Sequence, residues 1–258
     1  MTNALATSLA LALDPVYLAI AAGIRPDEWQ AELLRSDARQ LLLLVTRQGG
    51  KSTVSALLAL HEAVARPPAL VLLLAPALRQ SQELFRKVKG MLHVLGDRAP
   101  LIARESALTL ELVTGSRIVS LPGNDATIRG FSNVALVVVD EAARAPDSLY
   151  QAVRPMVAVS GGRIVLLSTP FGARGFFHRE ATEGAADWHR VTVTADQCPR
   201  IDPAWLARER VRIGDWWYRQ EYLCEFVQHD ENIFRYDTVM SALSDEVHPL
   251  LFALRAAG

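Results

Sequence analysis

The sequence has little cysteine, almost no net charge and no long apolar run. Cys198 and Cys224 are too few for a disulfide framework and lack metal-ligand spacing, so they fit a reducing compartment. The net charge of −1 gives no global basic signature, so contacts to a polyanion would have to come from a local patch. No apolar stretch reaches the roughly 18 residues of a membrane span, and the run at 5–13 lacks the basic start of a signal peptide. These absences predict a soluble, intracellular protein that does not use the membrane.

The chain is long and apolar enough for one large α/β domain, or for a domain with a small appendage. Half of its 258 residues are hydrophobic, which supports a sizeable core and argues against disorder. Continuous apolar runs are typical of parallel strands that are covered on both faces, and here they alternate with helical patterns. They occur within 41–45, 69–75, 135–141 and 163–170. The pattern therefore predicts a mainly parallel central sheet flanked by helices, with a β-hairpin at 109–121.

The stretch 41–53, LLLLVTRQGGKST, passes from an apolar strand through a glycine pair into a helical pattern. Such a unit forms a phosphate-binding loop, because successive backbone N–H groups and the helix N-terminus face an anion. Lys51 is placed to reach the β- and γ-phosphates of a nucleotide, and the Ser52 hydroxyl is placed to ligate Mg²⁺. The standard pattern, G-x-x-x-x-G-K-[ST], begins with glycine where this chain has Val45, so the loop is a variant. The alternative is an ordinary strand-to-helix turn with a solvated lysine.

Two carboxylates end another predicted strand. The run 135–141, ALVVVDE, places Asp140 and Glu141 at the carboxyl end of a buried strand, where ligands of open parallel sheets sit. Unpaired carboxylates are costly there, and a metal ion with a nucleophilic water supplies a reason for them. Asp140 would hold Mg²⁺ through water, and Glu141 would orient or deprotonate the attacking water.

Hydroxyl groups end a third predicted strand. The run 163–170, RIVLLSTP, finishes in Ser168 and Thr169, which can bond a phosphate-bound water or a neighbouring carboxylate. Parallel strands present their carboxyl ends at one edge of the sheet. We therefore expect these hydroxyls, the two carboxylates and the phosphate-binding loop to meet at that edge.

Weaker signals concern a nucleobase and DNA. An amide side chain can pair with both a donor and an acceptor of adenine, so Gln30 is a candidate for reading the base, although a surface glutamine is the simpler interpretation. A helix predicted at 78–95 has an excess of basic residues that either meets a phosphate backbone or forms a solvated face. Its candidate DNA-binding residues are Arg79, Arg86, Lys87 and Lys89. The aromatic segment 214–226 is predicted to pack the last helix against the core through its tryptophans.

These motifs together resemble the ATPase half of a phage terminase large subunit, the DNA-packaging motor protein of tailed viruses. The resemblance covers about residues 25–235. The loop R-Q-G-G-K-S is similar to the family's Walker A loop, V-V-V-D-E-A to its Walker B segment, and L-L-S-T-P to its coupling motif. W-Q before the first strand resembles its adenine-proximal motif, and R-Q-E-Y-L-C-E-F resembles the segment ahead of its second domain.

The resemblance implies a P-loop NTPase fold of the additional-strand (ASCE) type, with ATP and Mg²⁺ as ligands. The implied activity is ATP hydrolysis that drives double-stranded DNA into a procapsid, in the host cytoplasm. The implied partners are a ring of five copies of the chain, the portal protein and the small terminase subunit. We expect the ATPase domain at 1–226, with lid elements after about residue 170, and a linker or tail at 227–258.

The implied site residues have distinct roles. The ATP-binding residues are Gln30, Arg47, Gln48, Gly49, Gly50, Lys51, Ser52 and Thr53. The catalytic residues are Glu141, Lys51, Arg47 as the in-loop phosphate sensor, and Arg129 supplied by a neighbouring subunit. Ser52 and Asp140 are the Mg²⁺ ligands, and Ser168 and Thr169 couple hydrolysis to movement.

One departure from the family concerns its nuclease. Terminase large subunits normally continue into an RNase H-like nuclease domain, but only about 30 residues follow Phe226 here. Their acidic residues have no predicted sheet to present them: Asp230, Glu231, Asp237, Asp245 and Glu246. We therefore expect an isolated or truncated motor domain without nuclease activity.

Two other functions remain open from the sequence. A helicase-like, DNA-dependent ATPase would share the same lysine and paired acids, but it would need a second motor domain or a strand-separating partner. A non-catalytic DNA-binding or assembly module would carry a decayed ATP site. The intact Lys51, Ser52, Asp140 and Glu141 argue against decay.

Overall fold

A single mixed sheet forms the centre of the protein. The structure, a computed structural model, describes residues 2–123, 128 and 130–227. In this part of the chain the strands are β1 (Gln40–Val45), β2 (Leu70–Ala75), β3 (Ile102–Glu105), β4 (Thr109–Leu112), β5 (Arg117–Pro122), β6 (Leu136–Asp140), β7 (Arg163–Ser168) and β8 (Trp188–Val193). Their order is β3-β4-β5-β2-β6-β7-β1-β8. The pairs β3–β4 and β4–β5 are antiparallel and the other neighbours are parallel.

Apolar side chains cover both faces of the parallel strands. In β1, Leu41 and Leu43 enter one hydrophobic core while Leu42 and Leu44 enter the other, because successive side chains of a strand point to opposite faces. β6 and β7 are buried at every position. Burial of each leucine or valine contributes roughly 1.5–3 kcal/mol, so the central strands are a firm base for the loops at their ends.

Helices cover the two faces of the sheet. They are α1 (Thr2–Leu13), α2 (Pro15–Ala21), α3 (Glu28–Leu34), α4 (Lys51–Ala65), α5 (Leu78–Leu95), α6 (Asp147–Ala158), α7 (Gly175–Thr182), α8 (Pro203–Ile213) and α9 (Asp215–Tyr222). Helices α1 to α5 contribute to one core and α6 and α7 to the other. Asp202 starts α8, and its carboxylate accepts a hydrogen bond from the Ala204 N–H at 3.0 Å. Within the described residues, no helix combines the length and the apolar character needed to cross a membrane.

The strand order confirms the additional-strand prediction. β7 pairs with both β1 and β6, so the strand that leads to the glycine loop and the strand that ends in Asp140 are not neighbours. Because β1, β2, β6 and β7 run parallel, their carboxyl ends meet at one edge of the sheet. The hairpin is also present, as β4 and β5.

Two features differ from the sequence-based expectations. The structure adds β3, whose residues are all exposed, and such a strand lacks the apolar alternation that would reveal it. The aromatic segment packs through tyrosines: Tyr218 and Tyr222 are buried with Leu206, whereas Trp217 is 45% exposed. The prediction of tryptophan packing is therefore wrong for Trp217, because α9 turns its tyrosine-bearing face inward.

Some predicted residues lie outside the part of the chain that the structure describes. They are Arg129 and the five acidic residues of 228–258. The described chain up to Val227 forms one compact unit. The assignment of 227–258 as a linker stays a prediction.

Candidate nucleotide-binding site

A tight turn with two glycines joins β1 to α4. Gly50 has φ +96°, and a Cβ atom there would lie 2.5 Å from Nε2 of Gln30. A Cβ atom on Gly49 would lie 2.6 Å from Cγ1 of Val45. Gln48 also has positive φ, 60°. The backbone thus reaches Lys51, the first residue of α4, by a path that larger residues at 49 and 50 would obstruct.

Val45, the departure from the standard loop pattern, is part of the strand. Its side chain is fully buried in the core shared with α4. The Lys51 ammonium donates to the carbonyl oxygens of Val45 at 2.9 Å and Thr46 at 3.1 Å. Burial lowers the pKa of Lys51, while the charges of Glu141 and Asp140 act in the opposite direction. The lysine is thereby held over the loop at the end of β1.

Asp140 and Glu141 stand two strands away from the loop, at the end of β6. The Asp140 carboxylate is buried, and its Oδ1 accepts from the Glu141 N–H at 2.9 Å. Burial, followed by the charge of Glu141, raises the pKa of Asp140 to about 6. Glu141 has φ 52°, a left-handed conformation that is uncommon for a residue with a long side chain and that clusters at functional sites.

Asp140→Asn is expected to stabilise the nucleotide-free protein at pH 8. A carboxyl with a raised pKa binds more protons folded than unfolded, so its contribution to stability falls as pH rises from about 4 to about 6. The difference between 3.8 and about 6 corresponds to about 3 kcal/mol. Asparagine keeps the acceptor for the Glu141 N–H. Urea unfolding of both proteins should show a gain at pH 8 that largely disappears at pH 4, and an equal gain at both pH values would contradict this.

The third strand end meets the paired acids. Ser168 and Thr169 are buried at the end of β7. The Ser168 hydroxyl lies 3.5 Å from Oε2 of Glu141, so it can donate to that carboxylate. The convergence expected of the glycine loop, the paired acids and the hydroxyl strand is therefore present.

A buried glutamate of α9 connects the loop to the paired acids. Oε2 of Glu221 lies 3.2 Å from Nε of Arg47, and its Oε1 lies 3.9 Å from Nη2 of Arg144. Arg144 in turn donates to Oε2 of Glu141 at 2.9 Å. The Glu221 carbonyl also accepts from the Arg47 N–H at 3.1 Å and the Thr46 hydroxyl at 3.1 Å. The last described helix is thus hydrogen-bonded to the residues that precede the glycines and is connected to Glu141 indirectly, through Arg144.

Gln30 supports the glycine loop from the other side. Its Oε1 accepts from the Asp27 N–H at 3.0 Å, and its Nε2 lies 3.5 Å from the Gly49 carbonyl. Arg200 donates to the same carbonyl at 3.2 Å and pairs with Asp27. Gln30 is buried and its amide is engaged at both ends. Its role in reading adenine stays a prediction.

These elements enclose a cavity of about 380 Å³. It is lined by Arg47, Gln48, Gly50, Lys51, Ser52, Thr53, Lys87, Glu141 and Arg200. Four of these side chains are cationic and one is anionic, which suits a polyanionic ligand. A larger cavity of about 730 Å³, between 130–133 and α6, has no charged side chain among its described lining residues, so these offer no phosphate-binding chemistry.

The basic residues of α5 do not share one surface. Arg86 pairs with Glu83 of the same helix, and Lys89 pairs with Glu105 of β3 at 2.9 Å. Lys87 lines the cavity beside the glycine loop. Lys87 and Lys89 therefore have different surroundings, although both belong to the predicted DNA-binding set. DNA binding by this helix stays a prediction.

Sequence reasoning missed several residues of this cavity and its surroundings. They are Lys87 as a cavity residue, Arg144, Arg200 and Glu221. Of these residues, Arg144 could have been found from the sequence, because it is a charged residue only three positions after Glu141. Lys87, Arg200 and Glu221 belong to segments that are distant in sequence from the motifs and reach the site through the fold.

Comparison with known proteins finds the same family for most of the chain. The family model described as terminase large subunit, T4likevirus-type, N-terminal, matches residues 42–239. The large terminase subunit of Thermus virus P23-45 is 26% identical over 246 residues, which covers 82% of this chain and 51% of that protein. The chain thus spans about half the length of the curated relatives it matches.

Solved structures share the fold. The large terminase ATPase domain of Thermus phage P74-26 superposes with a TM-score of 0.72 at 23% identity, covering 81% of this chain and 97% of that one. The large terminase of a thermophilic bacteriophage, in complex with ATP-γ-S, gives a TM-score of 0.57 at 15% identity, covering 74% of this chain and 48% of that one. The mainly parallel sheet with its additional strand is therefore the fold of these ATPase domains.

Proposed function

This chain belongs to the terminase large subunit family, and on that premise we propose that it is the ATP-hydrolysing motor domain of a viral genome-packaging machine. The observation that carries the proposal is the meeting of Lys51, Asp140 and Glu141 at one edge of the sheet, beside a cationic cavity. The proposed substrates are ATP and, as the transported polymer, double-stranded DNA.

ATP would bind along the loop from Arg47 to Thr53. The backbone N–H groups of the loop and the start of α4 face its phosphates, and Lys51 exchanges its loop carbonyl partners for phosphate oxygens. The large terminase of the thermophilic bacteriophage binds ATP-γ-S, which supports a nucleotide as the ligand. Arg47 would exchange its ion pair with Glu221 for a contact with the phosphates, which its side chain can reach because it is 64% exposed.

The residues at the strand ends also fit Mg²⁺. This ion prefers oxygen ligands, and the Ser52 hydroxyl and the Asp140 carboxylate supply them beside the phosphate site. Burial and the neighbouring charge of Glu141 raise the pKa of Asp140, and a bound cation would offset both effects. Mg²⁺ bound there would neutralise phosphate charge. Glu141 would accept a proton from the attacking water, and Ser168 and Thr169 would respond to the loss of phosphate through the Ser168–Glu141 contact.

The partners follow from the family and belong to the proposal. The chain would act as a ring of five copies on the portal protein, with the small terminase subunit, in the cytoplasm of the host. Arg129 of one copy would complete the ATP site of its neighbour. The absence of nuclease activity stays a prediction, since the relatives are about twice as long as this chain.

Assays of DNA uptake and of strand displacement distinguish this proposal from the helicase alternative. We expect ATP-dependent uptake of double-stranded DNA when the chain is combined with portal-bearing procapsids, and no displacement of an annealed strand. Lys51→Ala is the control that should abolish uptake, because it removes the phosphate-binding ammonium. Strand displacement without uptake would overturn the proposed function.

A further inference from the structure

We propose that Lys87 of α5 is a second phosphate-binding lysine of the nucleotide site, which deepens the proposed function and rests on it. Lys87 and Lys51 come from different helices but line the same cavity, together with Ser52 and Glu141. The ligand would be the polyphosphate of a nucleotide, because ammonium groups bind phosphate oxygens as point charges.

Helical geometry directs Lys87 toward this cavity. The buried face of α5 includes Leu84, Val88 and Met91. Lys87 follows Leu84 by three positions and precedes Met91 by four, so it borders one side of the buried face. Lys89 follows Phe85 by four and therefore borders the other side, where it meets Glu105 of β3. Lys87 and Lys89, only two positions apart, thus lie in different environments.

Charge pairing separates these lysines further. The Lys89 ammonium lies 2.9 Å from a Glu105 oxygen. Within the described part of the chain, no carboxylate lies within 4.0 Å of the Lys87 ammonium, although its positive charge acts to lower the pKa of Asp140. Lys87 is exposed and lines a cavity with three further cationic side chains, an arrangement that suits a polyanionic ligand.

The test compares Lys87→Ala, Lys87→Arg and the matched control Lys89→Ala in the full chain. Equilibrium binding of Mg-ATP and of inorganic tripolyphosphate would be measured, with KM and kcat determined separately. Losing a charge-assisted hydrogen bond should weaken binding of both ligands by about 10- to 100-fold and raise KM by a similar factor in Lys87→Ala. Lys87→Arg should recover most of the affinity, and Lys89→Ala should bind like the wild type.

Other outcomes would overturn the inference. If Lys87→Ala binds ATP like the wild type but loses DNA affinity, Lys87 is a DNA-binding residue, and the proposed ATP site is untouched. If Lys89→Ala is equally impaired, the effect comes from α5 packing and Lys87 is not a ligand. If the wild type binds no nucleotide at all, the proposed function fails together with this inference.

Discussion

Glu141→Gln is expected to leave ATP binding intact while reducing hydrolysis by about 10²–10⁴-fold. Glutamine has the shape of glutamate but cannot take a proton from the attacking water at neutral pH. The proposed general base is thus removed while the phosphate-binding groups, Lys51 and the glycine loop, remain.

The contacts of the Glu141 side chain indicate that Glu141→Gln should remove the proposed base without disturbing the neighbouring residues. Its Oε2 accepts from Arg144 at 2.9 Å and lies 3.5 Å from the Ser168 hydroxyl, and a glutamine oxygen can accept from both. Glu141 has φ 52°, and glutamine, which is similar in size and branching, is expected to adopt the same backbone conformation. We therefore expect the folded structure to persist and the loss to appear in kcat.

Single-turnover hydrolysis and equilibrium ATP binding would be measured on the same preparations. Glu225→Gln is a matched control, because Glu225 pairs with Arg219 on the exposed side of α9 and lies outside the lining of the ATP-site cavity. Wild-type turnover in Glu141→Gln would exclude Glu141 as the base. Absence of ATP binding in the wild type would instead favour a decayed nucleotide site.

The strands and their end residues were predictable because their signals are local. Apolar runs are long enough to identify buried parallel strands, and a residue that follows such a run lies at the edge of the sheet. This is why Lys51, Asp140, Glu141 and Ser168 are brought together as expected. The exposed strand β3 carries no such signal.

Contributions from distant segments were not predictable in the same way. Glu221 lies in a segment that resembles a packing helix, and its pairing with Arg47 joins residues 174 positions apart. Helical spacing places Lys87 and Lys89 on opposite sides of the buried face of α5, but only the packing of α5 against the sheet decides which side meets the glycine loop. Both the Glu221–Arg47 pair and the position of Lys87 depend on tertiary packing, which the periodicity of the sequence does not specify.

The Glu221 contacts suggest why a nucleotide can affect the region after β7. Glu221 bonds to the glycine loop through Arg47 and to the paired acids through Arg144. Its neighbour Gln220 is buried and accepts from the Gly172 N–H at 3.3 Å, just after the Ser168-Thr169 strand end. A ligand that drew the Arg47 side chain toward a phosphate would break its ion pair with Glu221, while the Glu221 carbonyl would keep its bonds from the Arg47 N–H and the Thr46 hydroxyl. We propose that this exchange of one contact connects the lid to ATP.

Because Arg129 is proposed to act on the ATP site of a neighbouring copy, we expect the ATPase rate per subunit to fall when the wild-type chain is diluted. An arginine supplied by a partner can contribute about 10³–10⁵ in rate. Arg129→Ala should therefore lose hydrolysis by a similar factor at concentrations where the wild type assembles, its rate per subunit should not change on dilution, and it should still bind ATP through its own loop. A rate per subunit that stays constant on dilution would exclude a role between subunits.

Mixing two inactive variants tests the shared site directly. Arg129→Ala keeps Glu141, and Glu141→Gln keeps Arg129, so a complete site forms only where the second variant donates its arginine to the first. With random pairing in a head-to-tail ring, about a quarter of all interfaces would be complete, so about a quarter of the wild-type rate should return. The double variant Arg129→Ala/Glu141→Gln, mixed with either single variant, is the control that should restore nothing. If the two single variants remain inactive together at concentrations where the wild type is active, Arg129 serves its own subunit, and the ring would have to complete its ATP sites with another residue.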